Sequence, residues 1–165
     1  MGRVVSREEL IAVRRDARKG ELAVVFTNGC FDLIHPGHID LLEKAAALGD
    51  LLVVGLNTDR SVTELKGPCR PVTPEDDRAR VLAALEMVDY VCLFDEDTPA
   101  ELIAALVPDV LVKGGDYGLD EIVGRETVEG AGGRVVVVPL TEGYSTTDLI
   151  DSIVDRYLEA DREGS

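Results

Sequence analysis

The chain predicts an α/β fold, one domain over residues 1–165 built on a doubly wound parallel sheet of five strands. Three observations carry that expectation. Apolar runs alternate with amphipathic stretches along the whole length, which is the βαβ pattern. The apolar runs are continuous rather than alternating, as in strands covered on both faces. The polar, glycine-bearing loops follow the first, second, fourth and fifth strands, at the end where open α/β sheets bind ligands.

The elements follow in order. Ser6-Arg7-Glu8-Glu9 is a capping box, and Leu10, Ile11 and Val13 start a helix that stops at Gly20, giving an N-terminal helix over about 6–19. The core runs from about 22 to 160. Leu22 to Thr27 reads as the first strand, and Ile39 to Leu48 as an amphipathic helix closed by Gly49. Leu51 to Leu56 is the second strand, followed by a loop over roughly Asn57 to Val72. Thr73-Pro74 opens a helix through Glu86, with proline at its first position. Val88 to Leu93 is the third strand. Thr98-Pro99-Ala100-Glu101 is a second capping box, starting a helix that ends before Pro108. Val110 to Val112 forms a short fourth strand, a helix lies near Asp120 to Glu129, and Arg134 to Pro139 is the fifth strand. Ser145-Thr146-Thr147-Asp148 caps a last helix reaching about Ala160, and only the final few residues look loose. No repeat, linker or low-complexity tract interrupts the series.

Composition narrows the partners. The chain is 45% hydrophobic, yet it has no apolar run near the ~18 residues of a membrane span. No signal-like segment opens it, so the cytosol is the expected location. Three cysteines, Cys30, Cys69 and Cys92, lack CxxC spacing and read as reduced thiols. The net charge of −15 argues against nucleic acid or a membrane surface as partner. A small anion is still admissible, because charges beyond about 8 Å are screened and a local cationic cluster rules its own site. Such a cluster draws on few residues, since the only lysines are Lys19, Lys44, Lys66 and Lys113.

The most informative segment is Asn28-Gly29-Cys30-Phe31-Asp32-Leu33-Ile34-His35-Pro36-Gly37-His38, the corner between the first strand and its helix. Neither a Walker A pattern nor Gly-x-Gly-x-x-Gly stands there. Instead the only two histidines sit three apart, where free N–H groups and the helix dipole favour anions. Pro36 is pre-set for an early helical position, and Gly37 lets a ligand approach the backbone. Two imidazoles on such a corner point to chemistry at phosphorus. A metal site is the weaker rival, as no further histidine and no clustered carboxylates supply ligands.

This corner resembles the H-x-G-H nucleotidyltransferases, the cytidylyltransferase-like superfamily, and so implies a Rossmann-like domain. Three more segments match that group in order: Lys66-Gly67, Lys113-Gly114-Gly115-Asp116-Tyr117, and Glu142-Gly143-Tyr144-Ser145-Thr146-Thr147. The wording is most similar to the adenylyltransferase half of the bacterial enzymes that make ADP-heptose, over roughly Ser6 to Ile153. Two departures stand out. That family often carries a fused sugar kinase, which these 165 residues do not contain. Glycerol-3-phosphate cytidylyltransferases carry an arginine before the Ser-Thr-Thr segment, where Leu140 and Thr141 stand here.

The resemblance implies roles residue by residue. The expected reaction is transfer of AMP from ATP to a sugar 1-phosphate, D-glycero-D-manno-heptose 1-phosphate, with release of pyrophosphate. Mg²⁺ enters with the triphosphate, held mainly by phosphate oxygens, and a homodimer is expected. His35 and His38 would contact the triphosphate and stabilise the transition state, and Lys66 would bridge the two reacting phosphates. Arg70 and Arg78 are further candidate cations. Arg78 either reaches the phosphates or pairs on the surface with Glu75, Asp76 or Asp77. Asn28, Gly29, Gly37, Lys113, Gly115, Tyr144, Ser145, Thr146 and Thr147 are expected at the nucleotide. Cys30 and Phe31 offer backbone N–H groups and a wall, or else belong to the core. Asp32 orders the glycine turn or touches the sugar, and Asp116 and Tyr117 face base or sugar. The rival readings are a cytidylyltransferase, an FMN adenylyltransferase, or a non-catalytic nucleotide-binding regulator.

Overall fold

The computed structural model describes residues 1–115, 118, 121–139 and 141–163. Its sheet has the order β1-β4-β3-β2-β5-β6, all neighbours parallel. The strands are β1 (Arg3–Val4), β2 (Val24–Gly29), β3 (Leu51–Asn57), β4 (Tyr90–Phe94), β5 (Val110–Gly114) and β6 (Arg134–Val138). The helices are α1 (Arg7–Lys19), α2 (Pro36–Ala46), α3 (Asp59–Lys66), α4 (Glu75–Ala84), α5 (Ala100–Leu106), α6 (Arg125–Gly130) and α7 (Thr146–Glu163).

The sheet therefore has six strands where the sequence predicts five. The extra one, β1, is two residues long and pairs Arg3 with Tyr90 and Val4 with Val91. Two residues carry no periodicity to read. The five longer strands overlap the predicted runs, with β2 shifted two residues toward Gly29 and β4 shifted toward Phe94.

Double coverage explains the continuous apolar runs. Val25, Leu52, Val54, Val91, Val110 and Val112 bury one face against Leu42 of α2 and Leu82 of α4. Val24, Phe26, Val53, Phe94 and Leu111 bury the other against Leu10 of α1 and Leu102, Ile103 and Leu106 of α5. Successive side chains of one strand enter opposite layers, so both must be apolar.

Four local expectations change. The helix expected through Glu86 with proline at its first position is α4, Glu75–Ala84, with Pro74 at the cap position instead. The loop predicted over Asn57–Val72 contains α3, capped by the Thr58 hydroxyl, which accepts from the Ser61 N–H at 3.3 Å. The capping box at Thr98 does not form. Pro99 occupies the cap position, and the Thr98 hydroxyl accepts instead from the Ala100 N–H at 3.4 Å. α6 is shorter than predicted, beginning at Arg125. By contrast, the boxes at Ser6 and the cap at Ser145 form as read, the latter with the Asp148 N–H donating to Ser145 Oγ at 3.0 Å.

Chain order leaves β2 toward β3 and β4 on one side and toward β5 and β6 on the other. The crevice between β2 and β5 is thus the switch point, where α/β sheets hold ligands beyond their carboxyl ends. No described helix is long and apolar enough to cross a membrane.

Candidate active site

A cavity of about 590 Å³ lies at that carboxyl edge. It gathers Asn28, Gly29, Cys30, Phe31, His35, Gly37, His38, Lys66, Arg70, Lys113, Tyr144, Ser145, Thr146 and Thr147, all expected from the sequence. At the end of β5, Gly114 rather than the expected Gly115 lines it. Asp116, Tyr117 and Leu140 lie outside the described residues.

The histidine pair is built by the start of α2. His35 is the extended cap residue (φ −140°), Pro36 takes the first helical position, and the His38 N–H donates to the His35 carbonyl at 2.9 Å. This places both rings on one side, stacked with centroids 3.7 Å apart and planes at 23°. Both Nδ1 atoms are buried without a hydrogen-bond partner. Burial, reinforced by His35, pushes His38 down to about 4, and burial lowers His35 as well. The pair is therefore neutral at physiological pH, each ring keeping one donor and one lone pair.

Phe31 backs the pair, its ring 5.0 Å from that of His38. It combines the two roles expected of it, since it is 3% exposed, packs in the core and lines the cavity. Its backbone sits at φ 45°, in the left-handed region that costs a bulky residue strain, and no sequence signal announces that. Gly29 makes room, because a Cβ there would stand 3.0 Å from the Phe31 ring. Tyr144 lies on the outer side, 6.4 Å from the His35 ring and nearly parallel to it.

Two expectations are corrected by burial. Asp32 does not line the cavity. Its side chain is fully buried and accepts from the Arg70 guanidinium and from the N–H groups of Val72 at 2.7 Å and Thr73 at 2.9 Å. Burial alone would raise its carboxyl, but these donors hold it below the usual range. It therefore fixes the segment that carries Arg70. Arg78 neither reaches the cavity nor pairs with Glu75, Asp76 or Asp77. It is 1% exposed and donates to the carbonyls of Cys30 (2.7 Å), Asn57 (2.8 Å) and Thr73 (2.9 Å) and to Asp59 (2.7 Å). It ties the loops after β2 and β3 to the start of α4.

The remaining cations face the cavity. Lys66 closes α3 and Arg70 follows it after one turn of loop. Lys113, at the end of β5, donates to Asn28 Oδ1 of β2 at 3.3 Å, and burial lowers its pKa. Cys30 is held protonated, because burial raises its thiol against the opposing pull of Lys66, Arg78 and Arg70. At the β6 side, Ser145, Thr146 and Thr147 start α7, adding hydroxyls and the positive helix end. Three cations, two neutral imidazoles and two helix N-termini thus converge, despite the acidity of the whole chain.

Sequence reasoning missed other lining residues, among them Asn57, Leu65, Asp97, Thr98, Ile122 and Val123. Asn57 ends β3, and Asp97 and Thr98 closely follow β4, which is the signal that could have found them. Among the described residues no group of three or more His, Cys, Asp or Glu could hold a metal ion.

Comparison with known proteins gives the family of the chain. The cytidylyltransferase-like family model matches residues 26–152. The chain is 56% identical over 151 residues to the bifunctional protein HldE of Syntrophotalea carbinolica, covering 92% of this chain and 31% of that protein. It thus spans about a third of the length of the curated relatives it matches. A lipopolysaccharide core biosynthesis protein from Thermoplasma volcanium superposes with a TM-score of 0.60 at 29% identity, covering 75% of this chain and 99% of that one. A pantoate-beta-alanine ligase from Francisella tularensis shares the fold, with a TM-score of 0.61 at 13% identity, covering 86% and 68%. On the family match across most of its length, with the histidine corner near the start of the matched span, this chain belongs to the cytidylyltransferase-like family.

Proposed function

We propose that the chain transfers AMP from ATP to a sugar 1-phosphate, D-glycero-D-manno-heptose 1-phosphate, releasing pyrophosphate. The observation that carries this reading is the convergence of the stacked His35–His38 pair, Lys66, Arg70 and the start of α7 on one cavity. The triphosphate lies along the starts of α2 and α7, where N–H groups and hydroxyls accept its charge. The acceptor phosphate lies on Lys66 and Arg70. An acceptor oxygen attacks the α-phosphorus in line, the bond to the bridging oxygen breaks, and pyrophosphate departs. Positioning and charge stabilisation do the work, with no covalent step on the protein. The neutral imidazoles donate N–H bonds to the oxygens that gain charge.

Mg²⁺ would fit this site as a companion of the triphosphate, held mainly by phosphate oxygens and water, since among the described residues the cavity offers hydroxyls and cations and no cluster of carboxylates able to cage a metal. It supplies charge neutralisation on the leaving pyrophosphate. The unpaired thiols support a cytosolic setting. The exposed apolar side chains Leu149, Ile153, Val154 and Tyr157 of α7 support a homodimer, which light scattering in solution tests. The reaction is tested by pyrophosphate release from ATP, CTP and GTP with heptose 1-phosphate, glycerol 3-phosphate, phosphoethanolamine and FMN. ATP with heptose 1-phosphate is the expected pair. Turnover of another acceptor with none of heptose 1-phosphate overturns the reading.

A further inference from the structure

One carboxylate of the β4–α5 turn has no work within the protein. Asp95 accepts from the Thr58 hydroxyl and from Arg60 Nε at 2.9 Å. Glu96 pairs with Arg7 and accepts from the Asp95 N–H at 3.1 Å. Asp97, next in the chain, is exposed and makes no hydrogen bond or ion pair among the described residues, yet it lines the cavity beside Thr98.

Strand order says which part of a ligand it meets. Across the carboxyl edge, β4 carries Asp97, β3 leads to Lys66, β2 to the histidines, β5 to Lys113 and β6 to Ser145. Asp97 is therefore separated from the α7 end by the whole triphosphate path, with the Lys66 segment between. An acceptor-only carboxylate repels phosphate and suits hydroxyl donors. An ammonium ligand suits the place less well. Lys66 and Arg70 line the same cavity and would repel a second cation, and Leu65, Thr98 and Pro99, the lining residues next to Lys66 and Asp97 in the chain, offer no aromatic face. Thr98, whose oxygen already accepts from the Ala100 N–H at 3.4 Å, keeps its hydroxyl proton to donate.

We propose that Asp97 is a specificity-determining residue whose carboxylate accepts hydrogen bonds from hydroxyls of the acceptor, so that the cavity selects a phosphorylated polyol. This rests on the reading of Lys66 and Arg70 as the acceptor-phosphate site. Asp97→Ala and Asp97→Asn, compared with the parent on heptose 1-phosphate, ethyl phosphate and phosphoethanolamine, test it. In Asp97→Ala the KM for heptose 1-phosphate rises about tenfold or more, the equivalent of one lost charge-assisted hydrogen bond. The KM for ATP and the kcat stay near the parent's, kcat/KM for ethyl phosphate is the same in both, and Asp97→Asn falls between. The melting temperature does not move, as no protein contact is lost. An active parent with an unchanged heptose KM in Asp97→Ala overturns the inference alone. So does a loss confined to phosphoethanolamine, or an equal rise in the KM for ATP. A parent that turns over no phosphorylated polyol overturns the proposed function and this inference with it.

Discussion

His35 and His38 stack at 3.7 Å with both Nδ1 atoms buried and unpartnered, an arrangement that costs stability in the ligand-free protein. Removing either ring takes away a buried unsatisfied group along with its packing. His35→Ala and His38→Ala should therefore remain folded, while turnover falls about 10²–10³-fold, the range for losing one transition-state donor. Pyrophosphate release and thermal unfolding measured together check this. Parent-like turnover in both variants would sink the assigned roles.

The same pair predicts proton uptake on nucleotide binding. His38 titrates at about 4 in the free protein, below an ordinary imidazole, because burial and His35 disfavour its charged form. Phosphate oxygens favour that charged form and raise the value. Between about 4 and the raised value the complex then holds more protons than the free protein. Affinity for the triphosphate should strengthen as pH falls through this window. For stability the sign is opposite: the unfolded ring binds its proton first, so stability is lost as pH falls from about 6.5 toward 4. Calorimetry in two buffers of different ionisation heat, with His38→Asn subtracting the nucleotide's own protons, checks the uptake.

Asp32 couples the histidine corner to the segment bearing Arg70. Replacing it with alanine leaves the N–H groups of Val72 and Thr73 without an acceptor and Arg70 without its counter-charge. Asp32→Ala should lose about 2–3 kcal/mol at neutral pH. Its carboxyl is held below the usual range, so the contribution is present above about 3.9 and fades as pH falls through the folded value. Urea unfolding at pH 7 and pH 3 should show the gap between parent and variant narrowing with acid.

How far the sequence spoke depended on the kind of signal. Burial on both faces makes an entire strand apolar, so Val24 to Phe26 and Leu51 to Leu56 are legible as strands. The corner was legible because proline, glycine and two histidines occur at one strand-to-helix junction. β1 was not, having two residues, nor was α3, whose only apolar residues are Val62, buried, and Leu65, 53% exposed. From sequence, Asp32 is expected to order the glycine turn or touch the sugar, and Arg78 to reach the phosphates or pair on the surface of its helix, because a charge near a loop looks accessible on paper. Only the fold shows the N–H groups of Val72 and Thr73 converging on Asp32 and the carbonyls of Cys30, Asn57 and Thr73 on Arg78. The site's composition was readable; the division between side chains that touch ligand and those that hold the touching ones in place was not.

Arg78 illustrates that division. Its guanidinium joins three carbonyls and Asp59 inside the protein, whereas Asp59 itself is partly exposed. Arg78→Met fills the volume and leaves the carbonyls of Cys30, Asn57 and Thr73 without this donor. The expected loss is about 2–3 kcal/mol, below the full cost of breaking a buried pair because water reaches Asp59. Chemical unfolding measures it. A loss of turnover at unchanged stability would instead return Arg78 to the ligand.

Gly37 separates stability from activity. It lies in the first turn of α2, where alanine is a better helix former by up to about 1 kcal/mol. A Cβ there, however, would stand 3.2 Å from the Cε1 and Nδ1 atoms of His35 and 3.3 Å from Cβ of Tyr144. Those contacts are tight, and the ring of His35 is the part that can move. Gly37→Ala should therefore keep or raise the melting temperature while displacing His35 from His38 and crowding the approach to the helix start. Turnover should fall by about 10–100-fold, as expected when a positioned group shifts by a fraction of an ångström. Unchanged turnover in a folded Gly37→Ala protein would mean that the ring geometry at this corner does not govern the reaction.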